Sequence, residues 1–108
     1  MDLPYQYINN LKQEIDEIPP DSIISRTLSS ELGVKTILFG FSPGQELSEH
    51  TAAVPAILYF LEGEARLELG KDKKTAQPGT WVQMPPKLPH SIFAETKVIM
   101  LLVMLESK

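Results

Sequence analysis

The sequence contains no cysteine, which excludes disulfide bonds, thiolate metal sites and a cysteine nucleophile. It also lacks a long apolar run. The longest, residues 98–105, is far shorter than the roughly 20 residues of a membrane-spanning helix. No apolar segment near residue 1 has the character of a secretory signal. We therefore expect a cytoplasmic protein.

The chain is also poor in positive charge. Its 10 Lys+Arg residues stand against 14 Asp+Glu, and the formal net charge is −4. Such a chain lacks the basic surface that nucleic acids and anionic membranes attract, so we expect neither partner. The densest basic cluster, residues 71–74, reads as a solvated hairpin tip. A length of 108 residues is that of one domain.

Only two histidines are present, His50 and His90. Both lie between residues 44 and 94, where strand-like apolar runs are interrupted by glycine and proline. If these runs pair as a closed sheet, both imidazoles can point into its interior. The functional interpretation depends on this convergence.

Residues 1–20 are predicted to form an N-terminal arm. Leu11, Ile15 and Ile18 have the i, i+4, i+7 spacing of about two helical turns, which would end before Pro19. The alternative is an irregular arm that packs a few apolar side chains against the rest of the protein or a neighbouring subunit. Residues 21–108 are predicted to form one barrel domain, with a motif core over residues 44–94.

The rest of the chain has the pattern of an all-β protein. Charged and apolar residues alternate over residues 64–69, which is typical of a half-exposed antiparallel strand. Turn signals recur every 8–12 residues, as in sandwiches and barrels, and residues 70–74 are read as a turn. No room exists for the crossover helices of parallel βαβ units. The predicted strands are 22–28, 34–41, a segment through His50, 57–61, 64–69, 80–84, 90–94 and 97–106.

Two predicted strands, residues 57–61 and 98–105, are apolar at both alternating positions. One face of each can point into the barrel, but the other face also needs cover. A second subunit would supply it, and we therefore expect a homodimer that buries the outer face of one sheet. Trp81 is assigned to core or interface rather than to a sugar-stacking platform, and Tyr59 is expected to face away from the interior.

The spacing of glycines, prolines and histidines identifies a known pattern, and on it the chain resembles the cupin superfamily. The first motif of that family reads G-x5-H-x-H-x3,4-E-x6-G, and the second reads G-x5-P-x-G-x2-H-x3-N. The matching residues here are Gly44, His50, Gly63, Gly79, Pro85 and His90. The match covers about residues 34–105. It implies a cupin-type jelly-roll β-barrel, also called a double-stranded β-helix.

Cupins that hold a metal use three histidines and one glutamate or glutamine. The resemblance puts His50 and His90 at two of the histidine positions, but Ala52 and Ala56 stand at the other two ligand positions. Two imidazoles alone bind a divalent ion weakly, and Zn, Ni, Fe or Mn would each need waters to complete the shell. Glu46 has the strand parity of His50 but lies about 13 Å along an extended chain, so no third ligand is predicted.

The two alanines leave space on the predicted inward face. An apolar cavity with two neutral imidazoles is a usual composition for a small-ligand pocket. In the alternative, neighbouring side chains fill the space. Phe93 and Met104 are further candidate walls. The predicted pocket residues are His50, Ala52, Ala56, Leu58, Phe60, Met84, His90, Ile92 and Met100.

Three functions remain open at this point. The preferred one is a cupin that binds a small molecule near His50 and His90, with weak or absent metal binding. The second is a metal-dependent oxygenase, isomerase or lyase whose divalent ion is held by the same two histidines. The third is a non-catalytic structural or assembly module. The sequence identifies no catalytic residue.

Overall fold

The computed structural model describes residues 5–106, and nearly all its regular secondary structure is β-strand. Residues 1–4 of the predicted arm and 107–108 of the predicted barrel domain lie outside this range. No helix within the range is long and apolar enough to cross a membrane. The strands are β1 (Ile23–Ser29), β2 (Val34–Phe41), β3 (Glu46–His50), β4 (Ala56–Glu62), β5 (Ala65–Leu69), β6 (Asp72–Ala76), β7 (Trp81–Met84), β8 (His90–Ala94) and β9 (Val98–Leu105).

The strands form two antiparallel sheets. One has five strands in the order β1-β2-β9-β4-β7, and the other has four in the order β3-β8-β5-β6. Many spatial neighbours are distant in sequence, so the chain passes repeatedly from one sheet to the other. This arrangement is the predicted jelly roll, and the all-β assignment is confirmed.

The core lies between the sheets and follows the period-two alternation of the strands. On β4, Leu58 and Phe60 are at most 1% exposed, whereas Tyr59 between them is 39% exposed. On β5, Ala65 and Leu67 are buried, while Arg66 and Glu68 face solvent. Tyr59 therefore faces away from the interior, as expected.

Residues 70–74 do not form one continuous turn, and this prediction was wrong. The chain turns at Gly70 and Lys71, and residues 72–76 form β6, which pairs with β5. Four of its five residues are exposed, and only Ala76 is buried. An edge strand gains its stability from backbone pairing, and lysines on it discourage further strand addition. For that reason its composition does not look strand-like.

The predicted two turns of helix are reduced to a single 3₁₀ turn, Leu11–Glu14. Its first turn is capped by the Asn10 side chain, which accepts a hydrogen bond from the backbone N–H of Lys12 at 3.1 Å. Ile15 already has extended dihedral angles. The extended chain lets the residues after the turn reach the sheet beneath them.

Ile15 and Ile18 pack on the outer face of the five-stranded sheet, where they form a second apolar cluster with Leu38 and Ile99. The alternative prediction, an irregular arm that packs on the barrel, describes this segment better than the helix does. The domain boundary at residue 20 stays a prediction.

Candidate functional site

The two histidines lie together at one end of the four-stranded sheet. His50 on β3 and His90 on β8 are direct cross-strand partners. Their ring centroids are 4.2 Å apart, and the ring planes are inclined by 57°. His90 is only 5% exposed, whereas His50 is exposed. One ring of the pair therefore lies in the interior and the other lies at the surface.

A β-bulge in β3 produces this convergence. Leu47 pairs with Ile92 and His50 pairs with His90, so three steps along β3 match two steps along β8. The extra residue inverts the alternation, and Leu47 and His50 share a face although they are three apart. Leu47 packs against the barrel core.

The bulge also overturns the parity assigned to Glu46 from the sequence. Glu46 pairs with Phe93 and lines a groove on the outer face of the four-stranded sheet. It therefore does not share the face of His50, and uniform strand alternation gave the wrong answer. Bulges are common near functional sites because they redirect one side chain without changing the rest of the ladder.

Both imidazoles are held by the same local device. Nδ1 of His50 lies 2.7 Å from the carbonyl oxygen of Ser48, and Nδ1 of His90 lies 2.9 Å from that of Leu88. In each case the partner is two residues earlier in the chain. A carbonyl oxygen only accepts, so each Nδ1 carries a hydrogen and donates it. Such a bond fixes both the tautomer and the orientation of a histidine ring.

Burial lowers the pKa of His90 below its ordinary value of 6.5. The hydrogen bond to the Leu88 carbonyl opposes this change, and the neighbouring His50 adds to it when charged. A buried imidazole loses the hydration that stabilises its charged form, so the neutral form is favoured. His90 is therefore neutral at pH 7.

Most of the predicted pocket residues belong to the packed core. The six deepest are at most 2% exposed: Ala56, Leu58, Phe60, Met84, Ile92 and Met100. Met104 packs against the same cluster. Ala52 is half-buried, and its carbonyl accepts a hydrogen bond from the backbone N–H of Lys87 at 2.7 Å. A ligand-lining role for these residues stays a prediction.

Phe93 is not a wall of the interior, and that prediction was wrong. Its neighbour Ile92 faces the core, so the alternation of β8 turns Phe93 outward, where the Arg66 guanidinium lies 4.4 Å from its ring centroid. Arg66 also forms a 2.7 Å ion pair with Glu95. Phe93 and Arg66 line an open surface groove of about 350 Å³. The alternating charges of β5 predict a solvated face, which is compatible with such a groove.

The loop between β7 and β8 carries the second histidine. Lys87, which stands where the cupin motif has glycine, adopts a left-handed conformation with φ of 70°. That conformation costs a residue with a Cβ about 1 kcal/mol. The bond from the Lys87 N–H to Ala52 fixes the loop against the chain that follows β3. Leu88, the next residue, supplies the carbonyl that orients His90.

The donor set does not fit a catalytic divalent metal. Over residues 5–106, no group of three or more His, Cys, Asp or Glu side chains is placed to hold an ion. A catalytic zinc-type centre takes three protein ligands and leaves one position open. The chain brings two imidazoles to this point, and the side chains of Ala52 and Ala56 contribute no donor atom.

The sequence matches the family model described as "Cupin domain" over residues 37–106. The chain therefore belongs to the cupin superfamily, as its motifs indicated. No curated protein matches it at a significant level.

Solved structures show the same fold. A conserved protein of unknown function from Streptococcus pyogenes is 26% identical, with a TM-score of 0.84 over 98% of this chain and 92% of that one. A cupin superfamily protein from Desulfitobacterium hafniense is 24% identical, with a TM-score of 0.85 over 99% and 97%. KdgF from Halomonas sp. is 19% identical, with a TM-score of 0.76 over 98% and 97%.

Proposed function

We propose that this chain is a small cytoplasmic cupin that binds a small molecule beside His50 and His90, without requiring a divalent metal. We call the end of the four-stranded sheet where these two residues lie the barrel mouth. The observation that carries the proposal is the pair of imidazoles 4.2 Å apart, each held through Nδ1 by a backbone carbonyl. Side chains fixed in this way are preorganised, so little conformational entropy is lost when they bind a ligand.

The composition around the pair supports an organic ligand. Leu47, Leu69 and Leu88 are partly buried and pack against the core beside the histidines. Leu69 is the cross-strand partner of His90. Apolar surroundings with a few fixed polar groups are typical of small-molecule sites. The proposal puts the ligand at the mouth, since the deeper positions are filled by core side chains.

A thermal-shift screen of metabolites, run with and without EDTA, tests this function. A ligand present at tenfold its Kd stabilises the folded state by about 1.4 kcal/mol. For a domain of this size, that raises Tm by about 6 °C. We expect shifts that persist in EDTA, disappear in His50→Ala and remain in the control Thr75→Ala, whose side chain is exposed on β6. A broad library without any hit would contradict the proposal.

The alternative is a metal-dependent enzyme with the ion on His50 and His90. The Nδ1 hydrogen bonds favour the metal-dependent enzyme. A metal-binding histidine usually donates the N–H of its other ring nitrogen to a carbonyl or carboxylate oxygen. Elemental analysis separates the two functions. About one equivalent of Zn, Ni, Fe or Mn per chain, lost in His50→Ala, would support the enzyme. Well under one equivalent, unchanged by that substitution, would exclude it.

We further propose that the protein is a homodimer. Part of the outer face of the five-stranded sheet is covered by Ile15 and Ile18, but the part near β7 is open. Trp81 is 55% exposed and pairs with Tyr59 on β4. The open patch consists of Ile57, Tyr59, Trp81, Val103 and Leu105, and none of these residues is charged.

A second copy is the occupant that such a patch favours. An uncharged surface offers no complementarity to a charged partner, whereas two-fold symmetry places the same apolar face against itself. Light scattering after size exclusion is expected to give the mass of a dimer for the wild type. The control Thr75→Lys, on the four-stranded sheet, is expected to give the same mass. Trp81→Lys is expected to be monomeric with an unchanged circular dichroism spectrum. A monomeric wild type at tens of micromolar would refute this assignment, and a Trp81→Lys dimer would place the interface elsewhere.

A further inference from the structure

We propose that the His50–His90 pair selects ligands that donate a hydrogen bond through a hydroxyl group on an apolar body, and discriminates against carboxylates and ethers. This inference rests on the proposed small-molecule function and names its ligand class. It follows from which nitrogen of each ring carries the hydrogen.

The tautomer of each ring decides whether its free nitrogen donates or accepts. A neutral imidazole has one N–H, and in both rings that hydrogen belongs to Nδ1, because the partner of each Nδ1 is a carbonyl oxygen. In the neutral form of both rings, Nε2 of His50 and Nε2 of His90 are therefore unprotonated. Each presents a lone pair and accepts a hydrogen bond.

The two histidine rings lie next to each other. The ring centroids are 4.2 Å apart, so one small ligand can contact both rings. Two acceptors cannot satisfy each other, and no buried side-chain nitrogen or oxygen lacks a hydrogen-bond partner in the part of the chain that the structure describes, so Nε2 of the largely buried His90 reaches the surface and is open to a ligand. A ligand that covers these acceptors without offering a hydrogen would leave them unpaired at a cost, so a ligand that donates is favoured.

Carboxylates and ethers suit this pair of acceptors less well than alcohols do. A carboxylate or an ether oxygen would place a third acceptor beside two lone pairs, and neither group has a hydrogen to offer. Over residues 5–106 no group of three His, Cys, Asp or Glu side chains is placed to hold a metal ion that would offset the charge of a carboxylate. The hydroxyl of an alcohol donates, and its hydrocarbon part fits against Leu47 and Leu69, which pack beside the pair.

Nuclear magnetic resonance tests the tautomer on the wild-type protein without any ligand. Long-range ¹H–¹⁵N correlation at pH 8, where free histidine is neutral, distinguishes protonated from unprotonated ring nitrogens. We expect Nδ1 protonated and Nε2 unprotonated in both rings. An Nε2–H tautomer in either ring would overturn the inference, even if a metabolite screen gave hits, so it fails separately from the proposed function.

A matched set of probes tests the selectivity: cyclohexanol, methoxycyclohexane and cyclohexanecarboxylate, titrated at pH 8. One net hydrogen bond is worth about 1 kcal/mol, so the alcohol should bind about fivefold more tightly than the ether and should shift both Nε2 signals. In His50→Ala this advantage should fall, while in Thr75→Ala it should remain. Equal binding of the three probes, preference for the carboxylate, or no shift of either Nε2 would each contradict the inference.

Discussion

The side chain of Ile18 lies directly over Gly40 and occupies the space that a Cβ atom at position 40 would need. A Cβ atom built on Gly40 would be 2.7 Å from Cδ1 of Ile18 and 3.4 Å from Cγ2 of Ile15. This contact joins the N-terminal segment to the outer face of the five-stranded sheet. Ile15 and Ile18 thereby cover part of that face.

Gly40→Ala should therefore destabilise the protein by displacing the segment, by about 1 kcal/mol, because the obstacle is the mobile end of a side chain. Ile18→Ala removes that end and should cost about 2 kcal/mol by itself. Urea unfolding of both variants and of the double variant gives the coupling. The double variant should be less destabilised than the sum of the two. Strict additivity would show that the two residues do not interact.

A second glycine is restricted by backbone rather than by a side chain. Gly63 has φ of +93°, and a Cβ there would overlap the carbonyl of Lys97. Gly79 has a similar φ of +98° but no atom within 4 Å of its added Cβ, so it is a matched control. Both alanine variants incur a conformational cost of about 1–2 kcal/mol. Gly63→Ala should lose about 2 kcal/mol more in urea unfolding, because backbone must move. Equal losses would mean that Lys97 yields freely.

The β1–β2 turn contains a correctable strain. Leu32 and Gly33 both have positive φ, 62° and 76°, and the Val34 N–H donates to the Glu31 carbonyl, which is the geometry of a type I′ turn. Asn is much better suited than Leu to the first central position of such a turn. Leu32→Asn should stabilise the protein by about 1 kcal/mol, measured by urea unfolding. Leu32→Ala, which also removes the leucine side chain but lacks that preference, should give much less. A destabilised Leu32→Asn would show that the Leu32 side chain makes a contact of its own.

The pKa of His90 predicts a pH dependence of stability. Since this pKa is lower in the folded protein than the ordinary 6.5, the unfolded chain binds more protons as the pH falls. Stability should therefore be highest above pH 6.5, and it should decline from there as the pH falls through the folded pKa of His90. His90→Gln should lack this component of the slope. Urea unfolding of both proteins between pH 5 and 8 measures it, because the carboxylates common to both cancel in the difference. Identical slopes would contradict the assignment of the shift to His90.

The barrel itself could be predicted because its signals are local. The alternation of Ala65 and Leu67 with Arg66 and Glu68 specifies which face of β5 is buried, and no distant contact is needed to interpret it. Glycine and proline spacing marked most of the turns in the same way. Strand β6 escaped prediction because its polar residues are held by pairing with β5, a contact that composition does not encode.

The candidate site was predictable only in part. The sequence indicated that His50 and His90 would converge, but it gave Glu46 the wrong face, since the extra residue in β3 is visible only against its partner β8. The Nδ1 hydrogen bonds could not be predicted from the sequence either. They depend on where the backbone bends before each histidine, which the residues around it do not reveal by themselves.

The sequence by itself determined the all-β barrel, the positions of its two histidines and the shortage of donor atoms around them, because alternation, glycine spacing and residue identity are written along the chain. The tertiary structure alone decided which way each imidazole presents its lone pair and which part of the outer sheet stays open. Those properties arise from pairing register and from the path of the N-terminal segment. Both are set by contacts between residues far apart in the chain, and a one-dimensional pattern does not contain them.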